Sequence, residues 1–554
     1  MKSFVSFLLL FIFCLTSQAQ KFYLNVIGSS GIETKSIDSI GYSKIHLNGK
    51  SITDEVSLVS EKLQKSGYIE TEKLEQSKPN DSTFVFKFGL GKKINFIHIY
   101  VGKNPILKSI LQNTKNDSLM MLFSETENFL NQTLTQLEKK GFALAKLKLI
   151  NIQKMSSKLN AELYLSVDKK RSLNDIVIKG YDKFPEGFKK NIDRKYRNSV
   201  FNQTNLKKIN NDFNKIRFVK QLKYPEILFT TDSTKVYVYL EKAKINSFDG
   251  FIGFGNDDKS NLIFSGYVDL NLNNILNTGE KLVLYWKSDG KDQKTFNAAT
   301  EIPYVFKSPI GIKAQINIFK QDSTFQNTKT NLDLGYYLKS NSRIYLGYQS
   351  TESNDIKNLN TAILSDFNNS YLTSTYEFND FTNDDALFPD KTTFSLKIGT
   401  GNRVAKTQNN KQFFGALNLK HHFYLNKKNC ISLKTENFYL KSNNYVINEL
   451  YRFGGINSIR GFNENSLQAN VFTSIMSEYQ YIISPSIYAH SILDYGYFKD
   501  QSTNNTGKLL GIGFGFGLIT KNGLFNIVYA NGSSQNQAIK LSNSIVQISL
   551  KTNF

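Results

Sequence analysis

One segment of this sequence is suited to holding a charge in a fixed place. Residues 451–463 read Tyr-Arg-Phe-Gly-Gly-Ile-Asn-Ser-Ile-Arg-Gly-Phe-Asn. The adjacent glycines Gly454 and Gly455, with Gly461 further on, open backbone angles closed to other residues, so the segment bends sharply. Arg460 is a fixed cation inside that bend, with Ile459 before it and Phe462 after Gly461. The chemistry this permits is electrostatic anchoring of a loop. Reaction chemistry is not indicated elsewhere. The five histidines are dispersed, and His421 and His422, adjacent on an expected strand, point to opposite faces and make a poor metal pair. Neither a nucleophile elbow nor a metal-ligand cluster occurs. The glycine run at 511–517 is no phosphate loop, because Phe516 breaks the required pattern and no helix follows. The expectation is a protein that is not an enzyme, with no catalytic residue, metal or cofactor.

The elements that must position this loop fall into two contrasting halves. The chain has 554 residues, too many for one ordinary core. Met1-Lys2, an apolar run over 5–15 and Ser17-Gln18-Ala19 form an export leader, so residues 1–19 are assigned as a signal peptide. Cys14 follows the bulky Phe13, which argues against a lipid anchor. Beyond the leader the only cysteine is Cys430, so no internal disulfide forms. No later stretch approaches the ~20 apolar residues of a membrane helix. Export without a membrane helix leaves a secreted soluble protein or an outer-membrane barrel. The net charge of +22 is uneven: residues 20–243 hold 38 Lys and Arg against 23 Asp and Glu, whereas 244–554 hold 30 against 24. Export argues against nucleic acid as partner of the basic half. Anionic lipid headgroups or acidic periplasmic partners fit it better, and a solvated surface fits as well.

Residues 20–243 read as three α/β domains of one β-α-α-β-β plan, at 20–91, 92–170 and 171–243. In the third, a strand at 176–178 precedes a helix opened by Pro185 and running through Tyr196, where the missing N–H costs nothing. A second helix is expected over 205–219, with Leu206, Ile209, Phe213 and Ile216 at helical spacing, then strands at 227–229 and 235–240. The second domain has a strand at 94–101, Asn104-Pro105 opening a helix, a helix over 123–140 stopped by Gly141, and strands at 144–152 and 159–167. The first has a strand at 22–27, a helix at 54–66, and strands at 69–74 and 83–88. An open sheet edge in such units can accept an extended client chain as an added strand; a spacer arm is the alternative.

From residue 244 to 554 the period changes to two. Ile312, Ala314, Ile316 and Ile318 alternate with Lys313, Gln315 and Asn317, as in a sheet between two environments. Leu332, Leu334, Tyr336 and Leu338 do the same. About sixteen such segments, from 245–255 to 543–554, give an all-β transmembrane barrel of antiparallel strands. Pro303, Pro309, Pro389 and Pro485 all fall in even-to-odd connections, as residues that cannot donate to a ladder should. If the first strand rises from the periplasmic arm, the odd-to-even loops at 352–367 and 441–467 face outward. A soluble sandwich is the alternative. Long strands and the ending Ser544–Phe554, with Val546, Ile548 and Leu550 on one face with Phe554, favour the membrane.

The motif Gly-Gly-x-x-x-Ile-Arg-Gly-Phe at 454–462 resembles the inward-folded loop of the BamA/TamA superfamily of outer-membrane insertases and two-partner secretion pores, and the three upstream units resemble POTRA domains. The resemblance covers nearly the whole mature chain and is strongest to the TamA subgroup. It implies that the loop enters the barrel lumen and that Arg460 meets Glu478 and Asp494 on the next two strands. Leu493-Asp494-Tyr495-Gly496 resembles the family pattern Phe-x-Asp-x-Gly, with Ile492 standing where the family has an aromatic. It further implies a C-terminal sorting signal in Val546, Ile548, Leu550 and Phe554, and a seam between first and last strands, weakened by Gly250, Gly253 and Gly255. The implied location is the bacterial outer membrane with the N-terminal domains in the periplasm. The implied function is insertion or export of unfolded outer-membrane client proteins through that seam. The implied partners are those clients, membrane lipid and an inner-membrane or periplasmic accessory protein. The alternatives are a secretion pore for one dedicated exported protein and an envelope lipid-transport or structural conduit.

Overall fold

The structure is a computed structural model that describes residues 21–111, 117–256, 262–288, 293–382, 385–405, 409–521, 523–535, 538–540 and 544–554. The leader, Cys14 included, lies outside the described residues. Two compact units result, residues 1–172 with 200–204 and residues 173–199 with 205–554.

The first unit holds two four-stranded α/β sheets. Its opening domain comprises β1 (Phe22–Gly28), α1 (Gly31–Ile40), β2 (Ile45–His46), α2 (Gly49–Lys65), β3 (Glu72–Asn80) and β4 (Thr83–Gly89), in sheet order β2-β1-β4-β3 with β1 parallel to β4. On α2, Ile52, Val56, Val59 and Leu63 recur at helical spacing and bury against Leu24, Val26, Phe86 and Phe88. Each such side chain contributes ~1.5–3 kcal/mol of burial. The helix α1 and the short β2 escape the sequence pattern. Thr34, Ser36 and Ser39 are weak helix formers, and the helix depends instead on its cap, where Ser30 Oγ accepts from the Glu33 N–H at 3.3 Å and Glu33 Oε2 from the Ser29 N–H at 2.8 Å.

The next domain repeats the plan as β5 (Phe96–Tyr100), α3 (Pro105–Lys108), β6 (Ser118–Leu122), α4 (Thr126–Lys139), β7 (Lys146–Met155) and β8 (Lys158–Ser166), in order β6-β5-β8-β7. Asn104 caps α3 through its Oδ1, which accepts from the Ile106 N–H at 3.0 Å. The helix expected from 123 begins at Thr126, because Phe123–Glu125 forms a 3-10 turn. The edge strand β6 is a further addition to the expected plan.

The second unit opens with β9 (Asp175–Lys179), α5 (Glu186–Tyr196), α6 (Gln203–Asn214), β10 (Val219–Phe229) and β11 (Thr234–Lys242), in order β10-β11-β9. The second helix stops at Asn214, five residues short of the expected end. Val219 instead pairs with Lys242 and opens the edge strand, after tight turns in which Phe213 and Ile216 carbonyls accept from the Ile216 and Val219 N–H groups. Tyr196 is buried and donates to Asp212 Oδ2 at 2.6 Å, and burial with that carboxylate beside it holds the phenol above its usual range.

The rest of this unit is a closed antiparallel barrel of sixteen strands. They are β12 (Ser247–Asn256), β13 (Leu262–Asn273), β14 (Lys281–Ser288), β15 (Gln293–Ile302), β16 (Ile310–Gln321), β17 (Phe325–Lys339), β18 (Ser342–Asp355), β19 (Phe367–Phe381), β20 (Asp390–Ala405), β21 (Asn410–Tyr424) and β22 (Asn429–Lys441). A small hairpin of β23 (Tyr451–Phe453) and β24 (Leu467–Ala469) interrupts the series. The barrel resumes with β25 (Val471–Ser484), β26 (Ile487–Asp500), β27 (Asn505–Thr520), β28 (Gly523–Ser534) and β29 (Ile545–Asn553). On β17, Leu332, Leu334, Tyr336 and Leu338 are exposed on the outer wall while Asn331, Asp333 and Tyr337 are buried on the inner one. Apolar outside and polar inside is the polarity of a transmembrane barrel. Among the described residues no helix is long and apolar enough to cross a membrane.

The α/β domain of this unit rests on even-to-odd connections of the barrel. Asn274 Nδ2 donates to the Tyr181 hydroxyl at 2.6 Å, and Phe188 meets Tyr304 edge-on at 4.6 Å between centroids. Arg217 pairs with Asp390 and lies over the Phe381 ring at 4.9 Å. These contacts put the turns that carry Pro303, Pro309 and Pro389 against the α/β domain of the same unit.

Candidate functional site: a loop braced inside the barrel

The connection between β22 and β25 turns into the lumen. Gly454, Gly455 and Gly461 all have positive φ, at 102°, 99° and 86°. At Gly461 the requirement is double. Its backbone is left-handed, and an added Cβ would collide with the Asn531–Gly532 backbone of β28. Thus the loop touches the wall backbone to backbone.

Arg460 is held on three sides. Its Nε donates to Asp494 Oδ2 at 2.8 Å and its Nη2 to Asp494 Oδ1 at 2.6 Å, a two-point fork. Its own N–H donates to Asp494 Oδ2 at 3.0 Å, and Nη1 pairs with Glu478. The Arg460 and Asp494 side chains are 8 % and 0 % exposed. Glu478 also accepts from Gln480 Nε2 at 2.8 Å. Strand alternation places both carboxylates inward, since Tyr479 and Tyr495 beside them are exposed on the outer face.

Apolar packing completes the seat. Ile459 and Phe462 join Phe453, Ala469, Phe472, Phe498 and Leu509 in one buried cluster. Phe453 and Phe472 stack with centroids 3.9 Å apart. Ile492, the departure from the family pattern, is buried but stands outside this cluster; Phe472 and Phe498 supply the aromatic surface. The glycines of the 511–517 run divide in use. A Cβ on Gly511 would meet the Arg460 carbonyl, whereas Gly513, Gly515 and Gly517 make room for the neighbouring strand and for His490 and Tyr488. Gly496 matters more than any of the last three, because its missing side chain is where Ile459 sits.

Sequence reasoning missed three further braces. Arg403 on β20 pairs with Glu449, both side chains 1 % exposed, and Gln412 Nε2 donates to Glu449 at 2.8 Å. Asn448 Nδ2 donates to Ser353 Oγ at 2.7 Å and to the Ser365 carbonyl at 2.8 Å. Glu464 pairs with Lys287 on β14 and accepts from the Tyr285 hydroxyl at 3.2 Å. Their signal was present but unspecific: Glu464 is the only charge besides Arg460 in residues 454–466, and Lys287 lies on the polar face of its strand. From the other mouth, the turn after β19 folds inward. Phe388 stacks on His422 at 5.0 Å and meets Tyr488 edge-on at 4.9 Å.

The first and last strands meet differently. β12 and β29 pair at Ser247↔Asn553 and Phe248↔Thr552, extended by the Phe554 N–H donating to the Asn246 carbonyl at 2.9 Å. By contrast, β13 and β14 pair continuously from Gly266↔Ser288 to Asn273↔Lys281. Among the described residues, Gly250, Gly253 and Gly255 pair only on their other side, with Val268, Ser265 and Ile263 of β13. Val546, Ile548, Leu550 and Phe554 are all exposed on β29 and just beyond it. Among the described residues no group of His, Cys, Asp or Glu is placed to hold a metal ion.

No protein-family model and no curated protein matches this sequence. Solved structures do match its fold. CdiB from Acinetobacter baumannii superposes with a TM-score of 0.51 at 16% identity, over 81% of this chain and 85% of that one. CdiB from Escherichia coli gives 0.50 at 12% identity, over 91% and 97%. BamA from Haemophilus ducreyi lacking POTRA domains 1–3 gives 0.48 at 13% identity, over 82% and 99%. The chain therefore has the fold of the CdiB structures, with α/β domains ahead of a sixteen-stranded outer-membrane-type barrel.

Proposed function

We propose that this protein inserts or exports unfolded client proteins at the bacterial outer membrane, through the seam between β12 and β29, with its α/β domains in the periplasm. The single observation that carries the reading is the seam itself: two strands of a closed barrel joined at one end, with no further ladder pairs between them among the described residues. A free strand edge presents a row of unpaired backbone donors and acceptors and templates an incoming strand through hydrogen bonds. Three α/β units and sixteen strands support the TamA subgroup within the family that the loop motif resembles. A secretion pore or lipid conduit is the runner-up. It needs a continuous path through a lumen now entered by the 442–470 loop and by residues 385–389, so both would have to move.

The test is a disulfide across the seam in Phe248→Cys/Thr552→Cys, two directly opposed positions. Client assembly should stop when the pair is oxidised and resume on reduction. Unchanged client assembly in the oxidised protein would remove the seam from the mechanism.

A further inference from the structure

The loop that carries Arg460 holds only two charges between residues 454 and 466, and they pull in opposite directions around the barrel. Arg460 is fixed to β25 and β26, and Gly461 presses on β28. Glu464 reaches β14, where it pairs with Lys287 and accepts from Tyr285. In strand order, the short way from β28 to β14 runs through β29, β12 and β13. That interval contains the seam. The loop therefore spans the seam from inside, anchored on one side by Arg460 and on the other by Glu464.

The two anchors differ in kind. Asp494 is fully buried and Arg460, at the edge of a lumen cavity of about 580 Å³, is only 8 % exposed, whereas the Lys287 and Glu464 side chains that line the same cavity are 36 % and 32 % exposed. A sealed pair is costly to separate, while a half-exposed pair can break into water at small cost. Lys287 also has a second place to go. Asp249 and Asp269 stand directly opposite each other on β12 and β13, a like-charge pairing that weakens a ladder. They are eased by hydrogen bonds from the Tyr267 hydroxyl at 2.8 Å and Asn271 Nδ2 at 2.7 Å, and they line the same cavity as Lys287 and Glu464. Lys287 pairs directly with Tyr267 across the ladder, and Asp269 is two residues along that strand, within reach of a lysine.

We propose that Glu464 and Lys287 form a releasable latch across the seam, and that Asp249 and Asp269 receive Lys287 when the latch opens. In the latched state Lys287 ties the first hairpin side of the seam to the loop. In the released state it neutralises the aspartate pair and leaves β12 to β14 free to swing from β29. Such an element has two arrangements, as a switch requires. The proposal rests on the seam reading above, so its test reads seam closure separately from client assembly.

The test uses the full-length protein with the Phe248→Cys/Thr552→Cys pair as a closure probe. Correct folding of each variant is checked by heat-modifiable gel mobility. Glu464→Gln and Lys287→Glu should each lower the cross-linking rate about fivefold, the equivalent of one exposed ion pair. The exchanged double variant Glu464→Lys/Lys287→Glu should restore it. Asp249→Asn/Asp269→Asn removes the alternative acceptors and should raise the rate. Unchanged cross-linking in the single variants, or no recovery in the exchange, overturns the latch. Slower cross-linking with normal client assembly supports the latch and instead counts against the seam as the client route.

Discussion

Adjoining walls of one barrel are built by different rules. The wall of β25 to β28 is welded to the loop by a buried guanidinium, two carboxylates, an aromatic cluster and backbone contact at Gly461. The wall of β29 and β12 meets along a short ladder, with a facing pair of aspartates next to it. The contrast teaches where this barrel can deform. Breaking the first wall strands a desolvated charge, whereas parting the second costs a few backbone hydrogen bonds. A barrel with one stiff wall and one weak one opens in a single place.

The comparison can be broken in graded steps. Fixing the weak wall by the oxidised Phe248→Cys/Thr552→Cys pair should abolish client assembly while leaving the folded barrel intact, read by assembly of a reporter client with and without reductant. Next, Asp494→Ala should leave Arg460 buried without its main partner, at a cost of ~3–5 kcal/mol. The loop should become protease-sensitive from outside and client assembly should fall, with the barrel still reaching the membrane; Arg460→Ala should give the same phenotype. Wild-type activity in both would remove the anchoring role. Third, Gly496→Val should overpack the site of Ile459 and cost ~1–3 kcal/mol, seen as a lower thermal midpoint in detergent. Last, Gly253→Val should stiffen the weak wall by under ~1 kcal/mol, through strand propensity alone. It should slow client assembly without shifting the thermal midpoint measurably. If the two glycine substitutions produced equal destabilisation, the distinction between the walls would fail.

Much of this was legible from residue order. The period-two alternation carried sixteen strands, because a sheet between lipid and a polar lumen must alternate at every residue. The barrel prolines marked turns for a local reason too: a missing donor is tolerated at sheet edges and bulges, as in the edge strands β3 and β10, but a strand paired on both sides has no place for it. Helix α1 was not legible, since its stability comes from a cap and from burial of Ile37 instead of an amphipathic stripe. Strand β6 was missed because it exists only through pairing with β5. At the site, Arg460, Glu478 and Asp494 came from resemblance of a motif, and the structure brings all three together. Arg403 with Glu449 and Glu464 with Lys287 join residues 46 and 177 positions apart, and no local pattern links such pairs.

By itself, then, the sequence determined the strand count, the inward and outward faces, the sharp bend at Gly454–Gly455 and the charge it carries, because each follows from local sterics and period. Only the tertiary structure decided which wall that charge is welded to, which glycines make room for the loop, and that a second charge crosses the seam. Those outcomes depend on barrel closure and register, which set distances between residues that are remote in the chain.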